Sequence, residues 1–172
     1  VKSMAPGNGR MAIVMPQGVL FRGNEEGRIR EKLVKSDLIE AIITLGDRLF
    51  YGTPLSPCLI IIRRLKPATH STRVLMIDGT KILTAKRAQN ILSPEDVDRL
   101  YELYCKYEDI EDFSKVVTID DIAAKGYDLS PNKYVNYHKE EIRPYAEVLA
   151  EFKAAYEEVL KREAEFEKLI NA

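Results

Sequence analysis

Cysteine is scarce: Cys58 and Cys105 are the only two in 172 residues. Two thiols make no disulfide framework, and Cys58, inside an apolar run, reads as a small buried hydrophobe. Long apolar runs are missing as well. None approaches the roughly 18 residues of a membrane span, and no signal peptide heads the chain, so a cytoplasmic protein without membrane attachment is expected. Excess charge of either sign is absent, with 26 Lys+Arg against 27 Asp+Glu and a net charge of −1. No overall field draws the chain to nucleic acid, and any such contact needs a local basic patch or a more basic partner. Catalytic signatures are lacking too. There is no Gly-x-Ser-x-Gly elbow and no Cys/His arrangement for a covalent nucleophile. His70 and His138 stand apart from any metal-ligand spacing, so no metal site is expected. Gly7-Asn8-Gly9 precedes a strand instead of leading from one into a helix, which makes it a turn and not a phosphate cradle. The acidic EDIED stretch (Glu108–Asp112) reads as a solvated turn.

What is present is a series of short apolar segments suited to an α/β sheet. Apolar residues make up 45% and charged residues 31% of the chain, a globular balance. The length suits one domain, or a core with an appendage. Val1 stands in place of Met, and VKSMAPGNGR reads as the end of a helix followed by a turn, so the chain is expected to begin inside a longer one. MAIVM (Met11–Met15), apolar on both faces, predicts a central strand of a helix-covered parallel sheet. Asn24 as N-cap, acidic residues in the first turn and a stripe of Ile29, Leu33 and Val34 predict a helix. LIEAIITL (Leu38–Leu45) and CLIIIRR (Cys58–Arg64) predict two buried strands. Strand, helix, strand implies a right-handed parallel crossover, whereas the last two strands, with no helix between them, are expected as antiparallel neighbours. RVLMID (Arg73–Asp78) reads as a further strand, on the edge.

Beyond GTKILTAKRAQN the pattern turns helical. Ser93 with Pro94 signals a helix start, and Val97, Leu100, Tyr101 and Tyr104 share one of its faces. Thr118 and Asp121 have the spacing of a capping box, with Gly126 as the closing residue. YDLSPNKY reads as a turn-rich connector. After Pro144 the positions Tyr145, Leu149, Phe152, Tyr156, Val159, Glu163, Phe166 and Ile170 form a heptad seam, apolar at all but Glu163. Such a helix is roughly 40 Å long, too long to be buried by a domain of this size. The seam therefore predicts contact with a partner helix or self-association, folding back on its own domain being the alternative. The expected organisation is sheet over 1–90, helical connector over 91–138 and long helix over 139–172.

The stretch from Gly9 to Arg64, with QN (Gln89–Asn90) and YDLSPNKYV later, resembles the modification subunit of type I restriction–modification systems, which are adenine-specific DNA methyltransferases. The resemblance covers Val1 to about Val135, with MAIVMPQGVLF, LFYGTPLSPCLIII and YDLSPNKY in the family's order. It implies the C-terminal part of a Rossmann-like methyltransferase sheet whose last strands are antiparallel, in agreement with the topology read from the residues. It further implies transfer of a methyl group from S-adenosylmethionine to adenine N6 in duplex DNA. Its implied partners are a DNA-recognition (specificity) subunit and a restriction subunit. Two family elements are missing: the Gly-rich cofactor loop after the first strand, and the catalytic Asn/Asp-Pro-Pro-Tyr/Phe tetrapeptide. No two of the chain's eight prolines are adjacent. No catalytic residue is therefore assigned, and the chain alone is expected to bind no cofactor and to be inactive. The alternative is a stand-alone helical interaction or regulatory module that retains a degenerate methyltransferase half.

The resemblance also gives a use for the aromatic pair in LGDRLFYGTP. Enzymes that modify a base in duplex DNA flip it out and hold it by stacking. In related adenine methyltransferases the loop between the two antiparallel strands supplies an aromatic to that pocket, and Phe50 is the matching position. Phe50, ahead of Tyr51, is thus expected to stack on the target base; capping of the core beneath the strand ends is the bland alternative for both rings.

Overall fold

The computed structural model describes residues 3–138 and 144–170, apart from the side chains of 165 and 167–170. The chain divides into two compact units, Val1–His138 and Lys139–Ala172.

The first unit holds a five-stranded sheet in the order β1-β3-β2-β4-β5. Its strands are β1 (Arg10–Pro16), β2 (Ile39–Leu45), β3 (Pro57–Arg63), β4 (Arg73–Gly79) and β5 (Ser114–Thr118). β3 pairs antiparallel with β1 on one side and with β2 on the other. β1 and β2 therefore run parallel with β3 inserted between them, joined through helix α1 (Asn24–Lys35). β2 pairs parallel with β4, and β4 antiparallel with β5.

Helices cover both faces, which is why the inner strands are apolar on both sides. Ala41, Ile43, Leu45, Leu75 and Ile77 meet Leu100 and Leu103 of α2 (Pro94–Lys106). Ile42, Val74 and Met76 meet Val34 of α1, Ile122 of α3 (Ile119–Ala124), and Leu129 and Tyr134. A register shift between Ile39 and Ala41 lets Ile39 share the face of Ile42 and leaves Glu40 at the irregularity. Cys58 is fully buried, and burial pushes its thiol up to about 11.

Several expectations need correction. β1 is an edge strand rather than a central one. Only β3 pairs with it among the described residues, and Val14 is 52% exposed. β4, expected at the edge, is interior because β5 pairs along it. The sequence of β5, SKVVT, is too short and polar to stand out as a strand, so the 91–138 segment is not wholly helical. In α1 the N-cap is Gly23, not Asn24, and Ile29 points to solvent. Arg30 turns inward instead, donating to the carbonyls of Val19 and Tyr127 at 2.9 and 3.0 Å. In α2 the inward face is Leu100, Leu103 and Tyr104, whereas Val97 and Tyr101 are exposed. YDLSPNKY is not a mere connector, since Leu129, Pro131 and Tyr134 are buried and the Leu129 amide donates to Leu20 O at 2.9 Å.

Other local signals hold. α2 and α3 begin with capping boxes on Ser93/Asp96 and Thr118/Asp121, and Gly126 takes a φ of +65°. The second unit contains helix α4, Tyr145–Ile170.

Candidate functional site

Because β1, β2 and β4 run the same way, their C-terminal ends share one edge of the sheet with the start of β3. In open α/β sheets this is the edge where ligands bind. Three segments meet there: the turn after β1, the Leu45–Pro57 loop between β2 and β3, and a strap over residues 80–92.

The Leu45–Pro57 loop is fixed at both ends. The Gln17 side chain donates to Leu45 O at 3.1 Å, and its backbone amide donates to Ser56 O at 3.1 Å. From the strap, Gln89 Nε2 donates to Leu49 O at 2.9 Å, and the Asn90 amide donates to Arg48 O at 3.0 Å. Asn90 Nδ2 reaches both the backbone and side-chain oxygens of Asp47 at 3.1 Å. Gly46 makes the approach of the strap feasible: a Cβ there would lie 2.1 Å from Leu83 Cδ2 and 2.9 Å from Thr80 O. At the tip, Phe50 and Thr53 form a bridge around Tyr51 and Gly52, whose φ of +76° suits a glycine.

This scaffold holds Phe50 at 49% and Tyr51 at 92% exposure, so the loop presents both rings rather than burying them. Phe50 stands between two hollows. One, of about 250 Å³, is lined by Arg48, Tyr51, Gly52, Thr53, Ala88 and Gln89 as well. The other, of about 150 Å³, is completed by Val14, Met15 and Pro16 of β1 with Leu55 and Pro57. The ring therefore lies beside the last residues of the edge strand. Sequence reasoning singled out the rings but missed their supports. Gln89 and Asn90 were visible only as the QN pair, and nothing local marked Gln17.

A larger cavity, about 510 Å³, lies on the same edge between Gln17, Phe21, Thr44, Asp78, Asp128 and Lys133. Its carboxylates are already engaged. Burial pushes Asp78 up, but donors from Thr80, Tyr137 and Thr44 outweigh it and hold the carboxyl below its usual range. Asp128 is likewise held low by Lys133 and the Ser130 amide against the effect of burial. Asp78 ties Tyr137 to the end of β4, whereas the partners of Asp128 lie within YDLSPNKY itself. The Phe50 ring beside β1, by contrast, is half exposed.

Other sequence candidates lie elsewhere. His70 stacks on Tyr107 with centroids 3.6 Å apart, and its Nδ1 lies 3.5 Å from Glu40 Oε1. His138 lies near Glu111, and among the described residues no group of three or more His, Cys, Asp or Glu could hold a metal ion. Asp109 of the EDIED turn accepts from Lys115 and from the Val116 amide. In α4, Tyr145, Phe152, Tyr156, Val159, Glu163 and Phe166 are exposed and Leu149 is partly so, while the side chain of Ile170 lies outside the described residues. Among those residues no helix is long and apolar enough to cross a membrane.

Comparison with known proteins agrees with this architecture. The model of the family described as N-6 DNA methylase matches residues 1–142. The type I restriction enzyme MjaIX methylase subunit of Methanocaldococcus jannaschii is 36% identical over 173 residues, covering 95% of this chain and 31% of that protein. The MjaVII methylase subunit of the same organism is 36% identical over 129 residues, 73% of this chain and 22% of that subunit. Among solved structures, the type I restriction-modification system methyltransferase subunit from Streptococcus thermophilus superposes with a TM-score of 0.69 at 33% identity, over 74% of this chain and 27% of that one. The type I EcoKI M protein shares the fold at a TM-score of 0.56 and 17% identity, over 91% of this chain and 41% of that one. The chain thus spans less than a third of the length of these two curated relatives. With its first 142 residues matched by the family model and type I methylase subunits among its relatives, the chain belongs to the N-6 DNA methylase family.

Proposed function

We propose that this chain is part of an S-adenosylmethionine-dependent adenine-N6 DNA methyltransferase, the modification subunit of a type I restriction–modification complex. In this reading Phe50 forms one wall of the pocket for the flipped adenine, with Tyr51 at its rim. The observation that carries it is the half-exposed Phe50 ring, on a loop held by Gln17, Gln89 and Asn90, sharing a hollow with the end of β1. Pinning matters because a ring already fixed in place loses little freedom when a base stacks on it. Base–aromatic stacking contributes about 1–3 kcal/mol. In the complete subunit within its complex, Phe50→Ala should lower methylation of a duplex by about tenfold or more while S-adenosylmethionine affinity stays nearly unchanged. Unchanged turnover would return Phe50 to a packing role.

The cofactor's seat is proposed to lie outside these residues. Gly46 and Gly79 stand at the strand ends where a cradle would be needed, but Leu83, Leu100 and the backbone oxygens of Thr80 and Thr44 fill the space beside them. Titration calorimetry of the 172-residue chain with S-adenosylmethionine should show no binding at micromolar concentration; micromolar binding would contradict this assignment.

The α4 seam is proposed as an assembly helix for the DNA-recognition subunit or for a second copy of this chain. Its support is the row of exposed apolar side chains that includes Phe152, Tyr156 and Val159, which water disfavours and a partner helix would bury. The restriction subunit and duplex DNA complete the proposed set of partners.

A further inference from the structure

We propose that Lys86 and Arg87 of the strap, together with Arg48, form a ledge that grips the phosphate backbone of the duplex beside the base held at Phe50. The inference rests on the base-pocket reading above.

Charge is the first ground. The chain as a whole carries −1, yet no Asp or Glu occurs from Gly79 to Pro94 or from Arg48 to Arg63. The two segments meet at this edge of the sheet, so a chain with no global attraction for a polyanion has a local cationic strip beside its exposed rings. Location is the second ground. Ala88 and Gln89 line the same hollow of about 250 Å³ as Arg48, Phe50 and Tyr51, which sets the neighbouring Lys86 and Arg87 next to the aromatic tip. The strap is anchored on either side of them by the buried Ile82 and Asn90 and by the Thr84–Ile91 bridge. Between those anchors Lys86 and Arg87 are exposed, and neither side chain makes an ion pair or hydrogen bond with another described residue. Arg48 forms a half-exposed ion pair with Asp47 at 3.8 Å, a contact that solvent screens and that leaves the guanidinium open to a phosphate.

Two exposed cations without carboxylate partners among the described residues, and a third in a solvent-screened pair, all beside exposed rings, suit a nucleic-acid strand better than a protein surface. Rings take bases and the cations take phosphates. Phosphate contacts fix position without reading sequence, which fits a pocket whose task is to receive a base selected elsewhere.

The test is the salt dependence of duplex binding by the complete subunit in its complex. The variants are Lys86→Ala with Arg87→Ala, the charge-reversed Lys86→Glu with Arg87→Glu, and Lys106→Ala at the far end of α2 as control. Each phosphate contact contributes about 0.9 to the slope of log affinity against log salt, so the double alanine variant should lose about 1.8 from it. The reversed pair should lose more affinity at low salt, and Lys106→Ala should match the parent. Unchanged slopes in both double variants overturn the ledge, as does a loss of affinity at unchanged slope or a loss confined to subunit association. Phe50→Ala separates the two readings: it should lower methylation at unchanged slope. If it leaves methylation intact while the double variants still lower the slope, the base pocket fails and the ledge stands.

Discussion

Glu40 shows how one side chain organises a whole end of the sheet. It is 1% exposed, at the register shift of β2, where a carboxylate without partners would be costly. Arg63 Nη1 donates to Oε1 at 2.8 Å and the Tyr104 hydroxyl to Oε2 at 2.9 Å, so β3 and α2 are both tied to β2 through this one group. The Tyr107 hydroxyl, donating to the carbonyls of Glu40 and Arg73 at 3.3 and 3.2 Å, adds β4 to the cluster. Burial pushes the Glu40 carboxyl up, but the hydrogen bonds from Arg63 and Tyr104 outweigh it and the group stays below the usual carboxylate range. A depressed carboxyl contributes stability above its unfolded pKa of about 4.3 and loses that contribution as pH falls through the folded value. Glu40→Gln should therefore destabilise the chain by about 1–3 kcal/mol at neutral pH. Urea unfolding at a series of pH values should show the gap between parent and variant closing as pH falls below about 4. A gap that is constant with pH would mean that the charge of Glu40 contributes nothing beyond its shape.

At the scale of elements, the Leu45–Pro57 loop and the 80–92 strap behave as one device. The loop alone is an ordinary β2–β3 connection; the strap crossing over Gly46 turns it into a fixed platform. Gly46→Ala should cost about 1–3 kcal/mol, because the added methyl meets Thr80 O as well as Leu83. Gly27→Ala in α1, where the new Cβ finds contacts no closer than 3.7 Å, should instead raise stability by about 0.5–1 kcal/mol. Thermal unfolding of both variants checks this, and a neutral Gly46→Ala would show that the strap is free to move aside. The same comparison explains which parts were legible in the sequence. β2 and β3 announce themselves because LIEAIITL and CLIIIRR are apolar on both faces, and Ser93 and Thr118 announce their helices through side chains that cap them. β1 misleads for the same reason that β2 informs: apolar composition does not report how many neighbours a strand has. The candidate site was half legible. Phe50 and Tyr51 stand out as large rings on a Gly/Pro-punctuated loop, but Gln17 and Asn90 act from 28 and 43 residues away, and no local pattern encodes such a contact.

At the scale of the whole molecule, the chain matches between 22% and 31% of the two Methanocaldococcus jannaschii relatives, so the proposed activity belongs to a larger assembly. β1, paired along one edge among the described residues, and α4, with its exposed apolar side chains, are the two features most in need of further contacts. Burying a large apolar side chain contributes roughly 1.5–3 kcal/mol, so a seam that includes Leu149, Phe152, Tyr156 and Val159 has enough to hold a partner helix. Glu163 should then face a basic residue or lie at the edge of the contact. Leu149→Asp with Phe152→Asp in the complete subunit should abolish complex formation in pull-down and light scattering while leaving the sheet unit folded; a complex that survives both charges would place the seam against its own chain. The central claim, that Phe50 receives the flipped adenine, is tested most directly by a duplex carrying 2-aminopurine at the target position. Parent enzyme and Phe50→Ala are compared by fluorescence at saturating enzyme and cofactor. The account predicts that the alanine variant changes the probe's emission, because the base stacked on Phe50 in the parent loses that partner, while the duplex remains bound. Identical emission from the two enzymes, with equal methylation rates, would contradict it.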